Sequence, residues 1–311
     1  MQETYNNKYD KNLDNEISLL EFFQLLLQEK WKIISLTAFV TFCGIIYSLL
    51  LPNIYESKAL LVHANSSSGI SGALGSYSGL AGLAGINLSS GGDNNNSIQA
   101  MEKINSLSFF ENIILTNIFL PDLMAVKSWD FETNTITYDE SIYDKNTDIW
   151  VREYSYPMKK IPSAQESFKK FKDDHMSLNE SKDTGYITLS IKHQSPFVAK
   201  EWTELIVDEV NNFYRQKDKL ESQKAVNYLN QQISMTNLSE TKQAIAKLIQ
   251  EEIQKLTLIE ANQAYVFDYI DPPAVMEQKS KPNRTLICIL FALFGGILSI
   301  VLVLFKLYSF K

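Results

Sequence analysis

Two long stretches without a charged side chain limit what this chain can fold into. Residues 33–51, IISLTAFVTFCGIIYSLLL, and 285–305, TLICILFALFGGILSIVLVLF, run for 19 and 21 residues. At about 1.5 Å of rise per residue they make helices of roughly 28 and 32 Å, the thickness of a hydrocarbon core of about 30 Å. Both are expected to be transmembrane helices. A cleaved signal peptide at the first is disfavoured, because 32 mostly polar residues precede it and Leu51-Pro52-Asn53-Ile54 is not a small-residue cleavage site.

The flanks agree. Lys30, Trp31 and Lys32 before the first run, and Lys306, Tyr308 and Lys311 after the second, are aromatic and cationic anchors of the kind found at a membrane interface. Pro52 and Pro282 sit just outside the opposite ends, where a helix stops or begins. Charge does not fix the orientation, since Lys279, Lys281 and Arg284 also precede the second run. A 233-residue loop translocates largely regardless of its charge. Arg284 itself reads first as an interfacial anchor.

That loop, 52–284, holds 23 Lys and Arg against 30 Asp and Glu, which accounts for the whole net charge of -7. The acidic balance and the absence of clustered cations argue against a nucleic-acid partner. With 17 Phe and 15 Tyr in 311 residues, the chain has enough apolar surface to offset the entropy of ordering. Its cysteines, Cys43 and Cys288, fall one in each span at mismatched depths, so they are expected to be small apolar side chains rather than a disulfide. A cysteine-free loop fits an extracytoplasmic space.

Within the loop, 54–63, IYESKALLVH, reads as a strand. Over 97–119 the residues Ile98, Met101, Ile104, Leu107, Phe110, Ile113, Ile114 and Ile118 recur at helical spacing, so one helix is expected, ended by Pro121. The part 122–183 is irregular, with short strands, turns and a helix near 164–171. After Gly185, YITLSIK alternates apolar and polar residues as a half-buried strand does. Ser195 and Pro196 make an N-cap and first-turn pair for a long helix with the stripe Ala199, Trp202, Ile206, Val210 and Phe213. Its middle, 214–224, is polar nearly all round and should project into water before Val226, Leu229 and Ile233 resume the stripe. A second helix from Ser239 puts Ile245, Leu248, Ile249, Ile253, Leu256 and Ile259 on one face, and AYVFDYI, 264–270, returns as a strand.

The tract 66–92, SSSGISGALGSYSGLAGLAGINLSSGG, holds eight of the 12 glycines and no charge. It is not a third span, because each helical glycine costs about 1 kcal/mol relative to alanine. Nor is it a phosphate loop, having neither GxGxxG nor a Walker lysine. Two readings stay open, a passive linker or a weakly apolar contact loop through Leu74, Leu80, Leu83 and Ile86.

Enzymatic chemistry finds no motif. His63, His175 and His193 lack ligand spacing, neither CxxC nor HExxH occurs, and Asp173-Asp174-His175 reads as a solvated turn. No metal, cofactor or catalytic residue is expected. The membrane or oligomer contact candidates are Pro272, Pro273, Pro282 and Arg284 at the approach to the second span, and Gly44, Gly295 and Gly296, whose missing side chains permit close helix packing, within one protomer or to a partner.

Taken in order, EISLLEFFQLLLQEKWKI before the first span, IYESKALL after it, FLPDLMAVKSWD at 119–130, GYITLSIKHQSPFVAKEW at 185–202, AYVFDYIDPPAVMEQKSKPNR before the second span and GG inside it resemble the polysaccharide co-polymerase family. These are the Wzz-type chain-length determinants of bacterial lipopolysaccharide O-antigen. The resemblance covers most of the chain, though no one motif is catalytic. Met276 stands where the family usually has proline, leaving Pro272, Pro273 and Pro282 as the proline-rich approach to the second span.

The resemblance implies an α+β membrane protein: two transmembrane helices flanking a periplasmic α/β base domain with a long protruding helix. The expected divisions are a cytoplasmic segment 1–32, spans 33–51 and 285–305, a periplasmic domain 52–284 with long helices over 195–263, and a cytoplasmic tail 306–311. It implies an inner-membrane protein that is no enzyme, forming a homo-oligomeric ring and acting with the O-antigen polymerase on undecaprenyl-linked polysaccharide to set modal chain length. Two alternatives stay open. A capsule or exopolysaccharide export co-polymerase would need a kinase on a separate chain, since no GxxxxGK[ST] loop is present. A periplasmic ligand sensor would need a larger cytoplasmic module than the two tails.

Overall fold

The computed structural model describes residues 27–64, 93–262 and 264–309. The glycine tract, with Leu74, Leu80, Leu83 and Ile86, lies outside the described residues. The chain divides into two compact units, Met1–Pro52 with Lys281–Lys311, and Asn53–Ser280.

In the first unit, α1 (Lys30–Leu50) packs against the last helix, Arg284–Ser309, which is α9. Both are long and apolar enough to cross a membrane. They run antiparallel, as the pairings Thr37 with Ser299, Val40 with Gly295 and Gly44 with Phe291 require. Asn283 accepts the Leu286 N–H at 3.2 Å at the start of α9, one residue after Pro282. Cys43 and Cys288 are both free thiols.

The second unit is built on a four-stranded antiparallel sheet, order β6-β7-β1-β8, from β1 (Tyr55–His63), β6 (Met176–Glu180), β7 (Ile187–His193) and β8 (Phe267–Asp271). The register of β1 on β7 runs from Tyr55 opposite His193 to Leu61 opposite Ile187. Ala59, Leu61, Ile187, Leu189 and Ile191 are wholly buried, because period-two alternation turns them to one face. Against them lies α7 (Pro196–Met235), through Ala199, Trp202, Ile206 and Val210. At 40 residues it is about 60 Å long. α8 (Ser239–Ala261) returns alongside it.

Smaller elements complete the core: α2 (Asp93–Ile104), α3 (Leu107–Phe109), α4 (Leu115–Asn117), α5 (Leu120–Met124) and α6 (Ala164–Lys170), with the hairpins β2 (Val126–Asp130) to β3 (Thr135–Tyr138) and β4 (Tyr143–Asp144) to β5 (Ile149–Trp150). The single helix expected over 97–119 is broken. Ser106 takes up extended backbone, its hydroxyl accepts the Phe109 N–H, and a new helical segment starts there. That segment contains a π-helical turn, Phe110–Ile114, which brings Phe109, Phe110 and Ile114 into the core together while Ile98 stays 55% exposed. Pro121 does not end a helix but lies in the first turn of α5, where its missing N–H is harmless.

Candidate functional site

Four features of the fold are candidates for function: the meeting of the two ends of the Asn53–Ser280 unit, the root of its helical hairpin, the imidazole pair under the start of the long helix, and the seam between the membrane-length helices.

The ends meet because β1 and β8 are neighbours in the sheet, although they come from opposite ends of the unit. Beyond β8 the chain carries on alongside β1. The Ser57 hydroxyl donates to the Ala274 carbonyl at 3.0 Å, and the Ser280 N–H donates to the Ile54 carbonyl at 2.8 Å. Of the prolines there, Pro273 is buried and Pro272 exposed. Glu56 receives the Ser280 hydroxyl at 2.9 Å, with Lys58 and Lys192 at 3.7 and 4.0 Å. Burial alone would raise its carboxyl, but the Ser280 hydroxyl and the two ammonium groups outweigh burial and hold it below the usual carboxylate range.

The hairpin root is held by polar contacts. The buried Asn211 of α7 accepts the N–H groups of Val266 and Phe267 at 2.8 and 2.9 Å, and donates to the Phe267 carbonyl at 3.0 Å. One amide thereby ties the helix to β8. Farther out, Arg215 donates to the Asn262 carbonyl at 3.2 Å, the Tyr265 hydroxyl donates to Asp218 at 2.5 Å, and Lys219 pairs with Glu260. Past this belt the hairpin is largely exposed, as its polar middle section leads one to expect, although Tyr214 and Ser222 are buried. The apolar face expected on α8 is only half covered: Ile259 is buried, whereas Leu248 and Ile253 are about half exposed.

Under the start of α7, His193 accepts the Ser195 N–H at Nδ1 (2.9 Å) and its Nε2 meets the Asp122 carbonyl at 2.9 Å, so Nε2 carries the proton. Its ring lies 5.2 Å from that of Trp202 and 5.8 Å from that of His175. Burial, with His193 nearby, depresses His175 to about 4, and burial likewise lowers His193. The solvated turn expected at 173–175 is thus half right. Asp173 and Asp174 face water, but a π-helical turn, Phe171–His175, swings His175 inward to the Lys192 carbonyl at 2.7 Å. Such a turn leaves no signature in residue spacing. Among the described residues no three His, Cys, Asp or Glu side chains gather as metal ligands.

Between the membrane-length helices, a Cβ on Gly44 would stand 2.4 Å from the Phe291 ring, and one on Gly295 would stand 2.9 Å from Val40. The Thr37 and Ser299 hydroxyls meet at 3.1 Å. Gly296 has nothing within 4 Å of such a Cβ. The structure therefore puts Gly44 and Gly295 on the seam within one chain and leaves Gly296 off it. Asn211 does not stand out in the sequence, and His193 is weighed there only as a metal ligand, because a lone amide or imidazole reads the same whether it is buried or wet.

These features define a class: an α+β domain inserted between two membrane-length helices, with its own first and last strands paired. Within that class, residues 15–121 match the Wzz family, chain length determinant protein, and the resemblance to Wzz-type polysaccharide co-polymerases read from the sequence holds over that stretch. Among the solved structures similar to this chain are two polysaccharide co-polymerases. One, a full-length bacterial polysaccharide co-polymerase, is 14% identical at a TM-score of 0.44, over 94% of this chain and 98% of that one. The other, a fragment of WzzB, polysaccharide co-polymerase from Salmonella Typhimurium, is 13% identical at a TM-score of 0.34, over 74% of this chain and 100% of that one. No curated protein matches.

Proposed function

We propose that this chain is a non-enzymatic regulator of lipopolysaccharide O-antigen modal chain length, acting as a homo-oligomeric inner-membrane scaffold with the O-antigen polymerase. The observation that carries this reading is the family match over residues 15–121. The paired ends of the Asn53–Ser280 unit support it physically. A domain whose first and last strands are hydrogen-bonded to each other can be held at a membrane by both and still present a long hairpin to partners. In this reading 52–284 is periplasmic, 1–32 and 306–311 are cytoplasmic, and the undecaprenyl-linked polymer grows beside the assembled hairpins.

Pro272, Pro273 and Pro282 stiffen the approach to the second span, and Arg284 anchors it at the interface. Gly296, open in one chain, is the small-residue position left for a neighbouring helix. Deletion of the gene, followed by gel separation of lipopolysaccharide, tests the reading. The ladder of chain lengths should lose its modal band. An unchanged ladder with capsule lost instead would favour the export alternative.

A further inference from the structure

The end of the four-stranded sheet where β1 begins is flanked by aromatic rings that chain-length control does not account for. Trp129 of β2 meets Tyr55 edge to face, with centroids 5.4 Å apart, and lies 6.3 Å from Phe197 in the first turn of α7. Its indole N–H donates to Asn134 Oδ1 at 2.9 Å, which fixes the ring. Phe131, in the β2–β3 turn, is 78% exposed and Phe197 is 46% exposed.

The same end of the sheet holds both ends of the unit, joined by the Ser280 to Ile54 hydrogen bond. Asn53 follows Leu50, the last residue of α1, by three positions, and Ser280 precedes Arg284, the first of α9, by four. Since an extended chain reaches at most about 3.6 Å per residue, connectivity alone keeps Asn53 within roughly 11 Å of Leu50 and Ser280 within roughly 14 Å of Arg284. Tyrosine and tryptophan are the side chains that concentrate at the membrane–water interface, one end apolar and the other wet.

We propose that Tyr55, Trp129, Phe131 and Phe197 dock this edge of the unit on the phospholipid headgroup layer. Asp130 and Glu132 flank Phe131, which confines the ring to the headgroup depth, where acidic groups stay hydrated. The Asp130 carboxylate accepts the Glu132 and Thr133 N–H groups at 2.7 and 3.3 Å within the turn. Docking gives the domain a third point of attachment besides its two chain ends, which restrains rocking about them. The proposal rests on the reading of 33–51 and 285–305 as spans.

The test uses the full chain with Cys43→Ala and Cys288→Ala, in nanodiscs of phosphatidylethanolamine and phosphatidylglycerol. An environment-sensitive fluorophore is attached at Phe131→Cys or at Lys182→Cys, an exposed position beyond the far end of β1 and β7. The fluorophore at 131 should emit at shorter wavelength than the one at 182, and lipids spin-labelled near the headgroup should quench it selectively. Equal emission and equal quenching at both sites would overturn the proposal. So would a short-wavelength signal at 131 that spin-labelled lipid leaves untouched, since protein, such as a second copy, would then cover the ring. Failure of the chain to enter the discs at all would refute the spans themselves, and the docking with them.

Discussion

Phe291 occupies the space that a side chain on Gly44 would need, its ring Cγ standing 2.4 Å from where that Cβ would be. Without a hydrophobic drive between helices in lipid, such close backbone approach is what holds two spans together. Gly44→Leu should therefore force α1 and α9 apart, an overpacking of about 1–3 kcal/mol. Disulfide formation between Thr37→Cys and Ser299→Cys, in a background lacking Cys43 and Cys288, reads the separation. It should fall with Gly44→Leu and stay unchanged with Gly296→Leu, because Gly296 faces open space.

Asn211 should be among the least replaceable side chains of the domain. Asn211→Ala strands the buried N–H groups of Val266 and Phe267 and the Phe267 carbonyl, at about 1–3 kcal/mol for each group left without a partner. A large fall in the denaturation midpoint of the detergent-solubilised chain is expected. Asn211→Asp keeps the acceptor but loses the donor and buries a charge, so it should rescue little of the loss.

The imidazole pair sets an acid limit. His175 is held near 4 in the folded state against an ordinary value of 6.5, so the unfolded chain binds more protons between those limits. The stability due to its neutral form is complete above pH 6.5 and drains away as pH falls toward 4, by about 3 kcal/mol at 1.36 kcal/mol per unit. Protonated His193 can no longer accept the Ser195 N–H beside the N-cap of α7, which adds to the loss. Denaturation midpoints across this range should decline with acid, and His175→Gln should flatten the decline.

Much of the fold was legible where periodicity is strong. The apolar runs at 33–51 and 285–305, the alternation of Ile187, Leu189 and Ile191, and the Ser195-Pro196 cap all became the expected elements, because each depends on contacts within a few residues. Legibility ended where local choices were close in energy. The 97–119 stretch has helical spacing throughout, yet the Ser106 cap and a π turn divide it so that Phe109 and Phe110 can both reach the core. Strand β6 and the β2–β3 hairpin were likewise hidden in an irregular region, since their pairing partners decide them.

The sequence by itself determined that two helices are long and apolar enough to span a bilayer, and which family its order of motifs resembles. Those properties follow from composition and from spacing along the chain. Tertiary structure alone decided that β1 and β8 are neighbours, that Asn211 ties the long helix to the start of β8, that His175 turns inward while Asp173 and Asp174 face water, and that Gly44 and Gly295 lie on the seam while Gly296 does not. Each is a contact between residues distant in sequence, and whether such a contact forms depends on how the whole core closes around it.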